Sequence, residues 1–413
     1  MSCLHYKSDV LFIENCALST VAEKFGTPCY VYSKAALLHQ WQAFDRALQK
    51  IPHRICYAVK ANSNLAVLNL LAKQHSSFDI VSIGELKRVL AAGGNPANII
   101  FSGVGKRAEE IEFAISTHIH CFNVESEAEL QRIIGIAKQL KQTVKIALRV
   151  NPDIDPKTHS YIATGLLENK FGIELANIIP LCEQIKNEPS IRLIGIACHI
   201  GSQITQLAPF REAIDRMLKL YKEITALGFD LQQLNVGGGL GIQYHDEHPP
   251  SILAYTAMLQ EKLTSFTGEI MIEPGRAIVG HAGVLLMRVE YLKHTQQKQF
   301  AIVDAGMNDL MRPALYSAWQ NILPVTKRDQ AAIRYDVAGP LCESADFLGK
   351  DRELAILAGD LLVVEAAGAY GSSMSSNYNS RPRAAEVLID DDKLYLIRTR
   401  ERTEDLYALE KMV

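Results

Sequence analysis

Several chemically reactive side chains in this sequence follow short apolar runs that have the composition of β-strands. Lys60 comes directly after the run Cys56–Val59, and His199 ends another such run. Three consecutive glycines, Gly237–Gly239, follow a third run, and Glu273 ends a fourth. In proteins built from alternating parallel strands and helices, the functional groups lie at the carboxyl ends of the strands. Reactive residues at four strand ends therefore predict a ligand site at that edge.

Lys60 and the glycine triplet each allow two explanations. Lys60 fits a lysine that extends from a strand end to solvent, or a desolvated lysine whose lowered pKa allows a Schiff base with a carbonyl. Gly237–Gly239 fit a tight strand-to-helix turn, or backbone N–H groups that bind a phosphate. Ile242 stands where the GxGxxG pattern requires a glycine, which argues against a dinucleotide-binding turn.

Glu273 and His199 also allow two explanations each. Glu273 fits a structural ion pair with Arg276, or a carboxylate that faces a heterocyclic nitrogen while Gly275 and Arg276 lie near an anion. His199 fits a hydrogen-bonded core histidine, or an aromatic ring that stacks on a flat cofactor. Together, a Schiff-base lysine, a phosphate-binding turn, a stacking ring and a carboxylate are the groups needed to hold pyridoxal 5′-phosphate.

The first two-thirds of the chain alternates candidate strands with amphipathic helical patterns. The eight candidate strands are Ile55–Val59, Phe78–Val81, Ile99–Ser102, Cys121–Val124, Val144–Val150, Leu193–His199, Leu231–Val236 and Glu269–Glu273. Strands that alternate with helices pair in parallel through right-handed crossovers, and eight such units match a (β/α)8 barrel of the TIM type. A doubly wound open sheet is the alternative, because periodicity does not reveal whether a sheet closes.

The pattern becomes strand-dense after about residue 281. The candidate strands there are Gly283–Tyr291, Gln299–Asp304, Ala332–Val337, Leu361–Ala367 and Lys393–Arg398. Strands without intervening helices indicate an all-β domain of the Greek-key sandwich or barrel type. We therefore predict a barrel domain over residues 34–280 and a β domain made of residues 1–33 and 281–413. The Gly-, Ser- and Asn-rich segment Gly368–Pro382 is long for a connector and predicts a functional or mobile loop.

Composition excludes several classes of function. The 413 residues carry 43 lysines and arginines and 46 aspartates and glutamates, a net charge of −3, which does not indicate a nucleic-acid-binding or polybasic membrane protein. No apolar run reaches the roughly 18–20 residues that span a bilayer, and the N-terminus lacks a signal-peptide pattern. The eight cysteines contain no CxxC pair, so we expect reduced thiols in a cytoplasmic protein. The two histidine pairs, His118/His120 and His245/His248, lack a complete ligand set, and we predict no metal site.

Longer segments resemble the alanine-racemase-like, fold-type III pyridoxal-phosphate enzymes and, within that group, the diaminopimelate decarboxylase family. The segments are YAVKAN, FDIVSIGEL, HIGSQI, NVGGGLGI, EPGRAIVG, DAGMNDLMRPALY, GPLCESADFLG and AGAYGSSMSSNYNSRPRAAEV. The resemblance covers essentially the whole chain. It implies decarboxylation of meso-2,6-diaminopimelate to L-lysine and carbon dioxide, the last step of lysine biosynthesis. The family usually has Gly-Gly where this chain has Ile83-Gly84, so no roles are assigned to Asp79 or Glu85.

The resemblance implies a role in cofactor binding for each matching residue. Lys60 would carry pyridoxal 5′-phosphate as a Schiff base, His199 would stack on its ring, and Glu273 would pair with the pyridinium. The other residues around the cofactor and its phosphate would be Ser202, Gly237, Gly238, Gly239, Pro274, Gly275, Arg276 and Tyr370. Tyr370 would also contact the substrate.

The resemblance also implies how the substrate is held. Arg276, Arg312 and Tyr316 would bind the carboxylate at the distal end of the substrate, and Glu343 would meet the distal ammonium group. Cys342 would be the proton donor. In this family the Cys-Glu pair comes from the partner subunit, which implies an obligate homodimer with shared active sites.

Three rival hypotheses remain open on the sequence alone. The first is a related decarboxylase that acts on ornithine, arginine or carboxynorspermidine. The second is an amino-acid racemase, which would need a second base, conventionally tyrosine, on the opposite face of the cofactor; the Cys-Glu pair argues against it. The third is an inactive regulatory homologue that binds a protein partner. Such a homologue is expected to lose the cofactor lysine or the cysteine, and both Lys60 and Cys342 are present.

Overall fold

The computed structural model describes residues 3–156, 158, 164–165 and 168–413. The chain forms two compact units. One, the β-rich unit, comprises Met1–Gln40, Gln243–Glu247 and Arg276–Val413. The other, the barrel unit, comprises Trp41–Ile242 and His248–Gly275. The domain boundaries given above, 34–280 against 1–33 and 281–413, stay a prediction, and residues 1 and 2 of that predicted β domain lie outside the described residues.

The N-terminal segment forms four strands and two helices. Its elements are β1 (Leu4–Lys7), β2 (Val10–Ile13), β3 (Cys16–Ala17), α1 (Leu18–Phe25), β4 (Cys29–Ser33) and α2 (Lys34–Leu48). Strands β1 to β3 form a small sheet, with β2 between its two neighbours. Helix α1 buries Leu18 and Val21 in the same apolar cluster as Leu11 and Ile13 of β2.

The barrel unit contains nine strands and seven complete helices in the described residues. They are β5 (His53–Ala58), α3 (Leu65–Lys73), β6 (Ser77–Ile80), α4 (Ile83–Ala91), β7 (Ile99–Phe101), α5 (Ala108–Ser116), β8 (Cys121–Val124), α6 (Glu127–Leu140), β9 (Val144–Asn151), β10 (Ile173–Glu174), α7 (Leu175–Ile185), β11 (Ile191–Ala197), α8 (Ala208–Ala226), β12 (Gln233–Asn235), α9 (Ile252–Lys262) and β13 (Glu269–Ile272).

Eight of these strands form a closed parallel barrel. They run in the order β9, β11, β12, β13, β5, β6, β7, β8, and β8 pairs again with β9 through Phe122 and Ile146. This closure confirms the predicted (β/α)8 fold and excludes the doubly wound open sheet. The short strand β10 pairs only with β9 among the described elements. Because all eight barrel strands are parallel, their carboxyl ends lie at one rim.

Local sequence explains how the barrel's strands pass into its helices. Ser82 and Ser126 follow β6 and β8 closely, and their hydroxyls accept hydrogen bonds from the backbone N–H groups of Glu85 and Glu129. Such N-caps satisfy donors that a helix start leaves unpaired, typically contributing about 1 kcal/mol. Each cap therefore ends a rim loop and begins the next helix.

The C-terminal segment is dominated by strands. Its elements are α10 (Arg276–Val279), β14 (Gly283–His294), β15 (Gln299–Val303), α11 (Arg312–Tyr316), β16 (Ile322–Pro324), β17 (Ile333–Ala338), β18 (Phe347–Leu354), β19 (Leu361–Val364), β20 (Ala385–Asp390), β21 (Lys393–Arg398) and α12 (Thr403–Tyr407). The fold-class prediction, a TIM-type barrel with a C-terminal β domain, is confirmed.

One large sheet joins the two ends of the chain in the β-rich unit. Its main path runs β18, β17, β15, β14, β4, β20, β21, while β19 pairs with β14 and β16. Strand β4 lies between β14, to which it is antiparallel, and β20, to which it is parallel. All five residues of β4 are buried. The described part of the chain contains no helix that is long and apolar enough to cross a bilayer.

Candidate active site

Lys60 lies in a short turn that continues directly from β5. The turn is a 3₁₀ segment, Val59–Ala61, and the buried Tyr57 hydroxyl donates to the carbonyl of Asn62 at 2.9 Å. The ammonium group of Lys60 is 2.7 Å from Oδ2 of Asp79, which lies in the neighbouring strand β6 and is fully buried. The Lys60 side chain is 35% exposed. The Asp79 carboxylate lies close enough to stabilise the charged amine, and the Schiff-base role of Lys60 stays a prediction.

Glu273 follows β13 and is buried among neutral donors. Its Oε1 accepts hydrogen bonds from the side-chain amides of Asn235 at 2.7 Å and Asn123 at 3.4 Å. Burial, together with the Asp79 carboxylate, raises the pKa of Glu273 above that of an ordinary glutamate. A cationic ring nitrogen beside this carboxylate would offset the cost of its buried charge.

His199 follows β11 and is held as a neutral ring. The backbone N–H of Gly238 donates to its Nδ1 at 3.1 Å, so the ring proton of the neutral form lies on Nε2. Burial, with the positive charges of Arg149 and Lys60, holds the pKa of His199 well below its ordinary value. A flat, uncharged imidazole fixed in this way is suited to stacking on a planar ligand.

The glycine triplet is required by close packing of the backbone. A Cβ on Gly238 would lie 2.1 Å from the carbonyl oxygen of Glu273, and one on Gly239, whose φ is +105°, would lie 2.2 Å from that of Gly201. The N–H of Gly237 donates to Oδ1 of Asn235 at 2.9 Å. The amides of Gly237 and Gly238 are thus used within the protein, which supports the tight-turn explanation for these two residues.

Pro274 and Gly275 bring the chain back to the lysine turn. The carbonyl of Pro274 accepts from the N–H of Ala58 at 3.1 Å, and a Cβ on Gly275 would lie 3.0 Å from that of Ala61. Ser202 is half-buried in the loop after His199. The barrel rim therefore presents an amine, a neutral ring, a buried carboxylate and small residues, a set that fits pyridoxal 5′-phosphate.

In the β-rich unit, two arginines share one aromatic residue. Nη1 of Arg276 donates to the Tyr244 hydroxyl at 2.6 Å, and the Arg276 guanidinium lies 4.8 Å from the ring centre of Tyr370. The guanidinium of Arg312, at the start of α11, lies 4.1 Å from the ring centre of Tyr244. Tyr316 ends the same helix. The structure thus brings together four of the predicted residues and adds Tyr244.

Arg312 has unused hydrogen-bonding capacity. It is 5% exposed, and its Nε and Nη1 are buried without a hydrogen-bond partner among the described residues. Desolvation by burial and the neighbouring positive charge of Arg276 lower the pKa of Arg312. A buried guanidinium whose donors are unpaired is costly, so this geometry favours an anionic ligand with the planar, bidentate form of a carboxylate.

Cys342 and Glu343 lie in an exposed turn between β17 and β18. In the part of the chain that the structure describes, neither forms a hydrogen bond or ion pair with the arginine cluster. The backbone N–H of Cys342 donates to Oδ1 of Asn379 at 3.0 Å. Of the eight cysteines, Cys342 alone is exposed; Cys3 is partly buried and the other six are buried.

Four residues at or beside these sites were not assigned by sequence reasoning. Asp79 and Glu85 were left without roles, although Asp79 is the ion-pair partner of Lys60. Tyr244 had no signal, because it lies in a loop after the glycines and no spacing rule links it to Arg276 or Arg312. Asn379 lies in the Gly-, Ser- and Asn-rich loop, which was predicted to be functional or mobile and in which Tyr370 alone was given a role.

The chain is similar to known enzymes along its whole length. Residues 34–280 match the model of the pyridoxal-dependent decarboxylase family, pyridoxal binding domain. The chain is 52% identical to the diaminopimelate decarboxylases of Vibrio cholerae and Pseudomonas aeruginosa, with 100% of this chain and of each relative covered.

Solved structures agree with this relationship. Diaminopimelate decarboxylase from Helicobacter pylori, complexed with L-lysine, is 43% identical with a TM-score of 0.92, and the match covers 95% of this chain and 99% of that one. The enzyme from M. jannaschii, in co-complex with L-lysine, is 36% identical with a TM-score of 0.95, covering 99% of this chain and 98% of that one. The resemblance found in the sequence is confirmed: the chain belongs to the diaminopimelate decarboxylase family of pyridoxal-dependent decarboxylases.

Proposed function

We propose that this protein decarboxylates meso-2,6-diaminopimelate to L-lysine and carbon dioxide, the last step of lysine biosynthesis, with pyridoxal 5′-phosphate as cofactor. The observation that carries the choice of substrate is the buried guanidinium of Arg312, with its unpaired Nε and Nη1. Diaminopimelate has a second carboxylate, remote from the reacting carbon, that would satisfy these donors. Ornithine and arginine have no such carboxylate.

The barrel residues would hold the cofactor. Lys60 would attach to its aldehyde carbon, the neutral ring of His199 would lie against its ring, and Glu273 would face the ring nitrogen. The phosphate would be bordered by Ser202, Gly237, Gly238, Gly239, Pro274, Gly275, Arg276 and Tyr370. When bound, the cofactor supplies an electron sink for the electron pair left behind as carbon dioxide departs.

Glu273 would keep the ring nitrogen of the cofactor protonated. Burial near another carboxylate raises the pKa of Glu273, which means that its charged form is disfavoured. A cation placed beside Glu273 would stabilise that charged form. The amide donors of Asn235 and Asn123 fix the orientation of the carboxylate. Removing one preorganised electrostatic partner of this kind typically costs about 10²–10³ in rate.

The β-rich unit would supply the substrate and proton-transfer groups. Arg312, with Arg276 and Tyr316, would bind the distal carboxylate and so orient the substrate. Glu343 would accept hydrogen bonds from the distal ammonium group, and Tyr370 would contact both phosphate and substrate. The thiol of Cys342 would donate a proton to Cα after carbon dioxide leaves.

We further propose a homodimer in which each active site takes Cys342 and Glu343 from the partner subunit. Two observations support that arrangement: the turn is exposed, and among the described residues neither Cys342 nor Glu343 forms a hydrogen bond or ion pair with the arginine cluster. Mixing and reassociating two inactive variants, K60A and C342A, tests it. Shared sites predict recovery of about a quarter of the wild-type activity, since half of the dimers are mixed and each has one intact site. No recovery despite exchange of subunits would reject the shared site.

We also propose a cytoplasmic location, with the barrel domain spanning 34–280 and the β domain formed by 1–33 and 281–413. The eight free cysteines support a reducing compartment. Expressing the barrel segment alone and measuring its cofactor absorbance would test the proposed boundaries.

Product analysis tests the activity directly. The purified protein, loaded with pyridoxal 5′-phosphate, is incubated with meso-, LL- or DD-diaminopimelate, and with ornithine and arginine alongside. Lysine and carbon dioxide from the meso isomer alone are the expected result. Carbon dioxide from ornithine or arginine instead would reject the assignment of Arg312 and Glu343. No turnover in spite of bound cofactor would favour a regulatory homologue.

A further inference from the structure

The turn that carries Cys342 is fixed through its backbone. It leaves β17 at Gly339 and returns to β18 after Asp346. Oδ2 of Asp346 accepts from the N–H of Leu341 at 2.8 Å, and its Oδ1 accepts from the N–H of Met307 at 2.6 Å. The N–H of Asp346 donates to the carbonyl of Glu343 at 3.1 Å. One buried carboxylate thus binds this turn to the loop that leads to α11.

The next amide along the turn is held from a different loop. The N–H of Cys342 donates to Oδ1 of Asn379, at 3.0 Å. Asn379 has φ 54° and ψ 29°, a left-handed conformation that asparagine and glycine adopt more readily than other residues. In this conformation its side-chain oxygen reaches the cysteine turn.

The loop that presents Asn379 is itself anchored on both sides. Nδ2 of Asn377 donates to the carbonyl of Arg381 at 3.0 Å and to Oε2 of Glu401 at 2.7 Å. The N–H of Ser376 donates to the carbonyl of Asn308 at 2.8 Å, and Arg381 donates to the carbonyl of Asp304 at 3.0 Å. An exposed loop held by four such bonds can position a side chain at its tip.

We propose that Asn379 is a positioning residue for the proton donor. Asn379 and Asp346 bind two successive amides, those of Cys342 and Leu341, and so fix the direction in which the Cys342 thiol leaves the backbone. The inference rests on the proposed function, in which that thiol protonates Cα. A thiol displaced by about 1 Å from its acceptor transfers a proton more slowly, while substrate binding through the arginines is unaffected. Glu343, which lies on the same turn, keeps its own backbone bond to the N–H of Asp346, so Asn379 acts on turnover more than on affinity.

Three variants separate the hydrogen bond from the backbone conformation. Asn379→Gly keeps the left-handed backbone and removes the acceptor oxygen, whereas Asn379→Asp keeps both. Ser380→Gly is the matched control, because Ser380 also has a positive φ, of 53°, one residue further on. Each is prepared as the full chain with bound cofactor, and kcat and KM for meso-diaminopimelate are measured together with cofactor absorbance.

We expect N379G to lower kcat about tenfold with KM within about twofold of wild type and cofactor absorbance unchanged. N379D and S380G should retain most of the wild-type kcat. In a C342A background, N379G should cause no further loss, since the two residues act as one unit. A wild-type kcat for N379G, equal losses for N379D and N379G, or an additive loss in the double variant would each overturn the role of Asn379. A wild-type protein that makes no lysine would instead reject the proposed function.

Discussion

The guanidinium carbon of Arg312 lies over the ring of Tyr244, 4.1 Å from its centre, and the hydroxyl of the same tyrosine accepts a hydrogen bond from Arg276 at 2.6 Å. Two positive charges that would repel each other are thus held by one neutral side chain. The face of the ring attracts one cation and the hydroxyl oxygen attracts the other. Tyr244 thereby keeps both guanidinium groups oriented before any substrate carboxylate arrives.

Substituting Tyr244 should weaken substrate binding more than turnover. Y244F removes the hydroxyl that binds Arg276 and keeps the ring against Arg312, and we expect KM for meso-diaminopimelate to rise about tenfold, as for a lost hydrogen bond to a charged group. Y244A removes both contacts and should raise KM further. Steady-state kinetics on the cofactor-loaded enzyme measure both effects. Y221F is the control, because the Tyr221 hydroxyl donates to the carbonyl of Leu231 in the barrel unit. Unchanged KM in Y244A would show that the tyrosine does not orient the arginines.

Lys60 should be the residue that carries the cofactor. Borohydride reduction of the wild-type enzyme should attach pyridoxal 5′-phosphate permanently to the peptide that contains Lys60, as read by mass spectrometry. K60A should take up no reducible label and should lose activity. K219A, a change at a lysine that is 81% exposed on α8, should label as the wild type does. Attachment to another lysine in K60A with retained activity would contradict the assignment.

Cys342 should be the single fast-reacting thiol of the native protein. It is exposed, whereas burial raises the pKa of Cys3, Cys29, Cys121 and Cys198 to about 12 and so suppresses their thiolates. We expect one rapid equivalent in a thiol titration of the native enzyme and none in C342A. C342A should keep its cofactor and lose about 10²–10⁴ in kcat, the usual contribution of a positioned acid. Near-normal turnover in C342A would remove Cys342 as the proton donor.

Glu85 should make the cofactor-free protein less stable as the pH rises. Burial raises the pKa of Glu85 from 4.5 to about 7. The N–H of Val81 donates a hydrogen bond to Oε2 of Glu85, and this bond is the strongest of the interactions that lower the pKa. The folded protein therefore binds this proton more tightly than the unfolded chain does. The free energy of unfolding falls between pH 4.5 and about 7, and it stays lower above that range because the buried carboxylate is then charged. Replacing Glu85 by glutamine removes the cost.

The measurement is the midpoint of thermal unfolding at pH 5 and pH 8. E85Q should unfold at a higher temperature than the wild type at pH 8, and the difference should shrink at pH 5. The same change at the exposed Glu112 on α5 should leave the midpoint unchanged at both values of pH. A difference for E85Q that is equal at the two pH values would mean that ionisation of Glu85 is not the cause.

The eight barrel strands were predictable because each is a short apolar run that a helical pattern follows. Cys121–Val124 was predicted with its observed bounds. Strand β18 (Phe347–Leu354) was missed, because four of its eight residues are charged and it has no simple alternation. Barrel closure was also beyond the sequence, since the β8–β9 pairing joins elements whose register no local pattern encodes.

Some residues of the candidate site were likewise predictable from the sequence, and others were not. Lys60, His199 and Glu273 were found from their position at strand ends, which local patterns encode. Asp79 lies inside a strand, and its contact with Lys60, at 2.7 Å, depends on how the neighbouring strand and its turn are placed. Asn379 is placed by three loop anchors that are distant in sequence. Contacts of this kind appear only when the chain has folded.

Strand β4 has a consequence for how the protein is made. It is complete by Ser33, but its two neighbours in the sheet begin only at Gly283 and Ala385. During synthesis on the ribosome, a strand whose five residues are all buried in the folded protein must therefore remain without its partners while the whole barrel emerges and can fold. In a ribosome-bound chain that stops before residue 385, the edge of β4 that pairs with β20 is still without its partner, so this part of the sheet is completed only when synthesis is nearly finished.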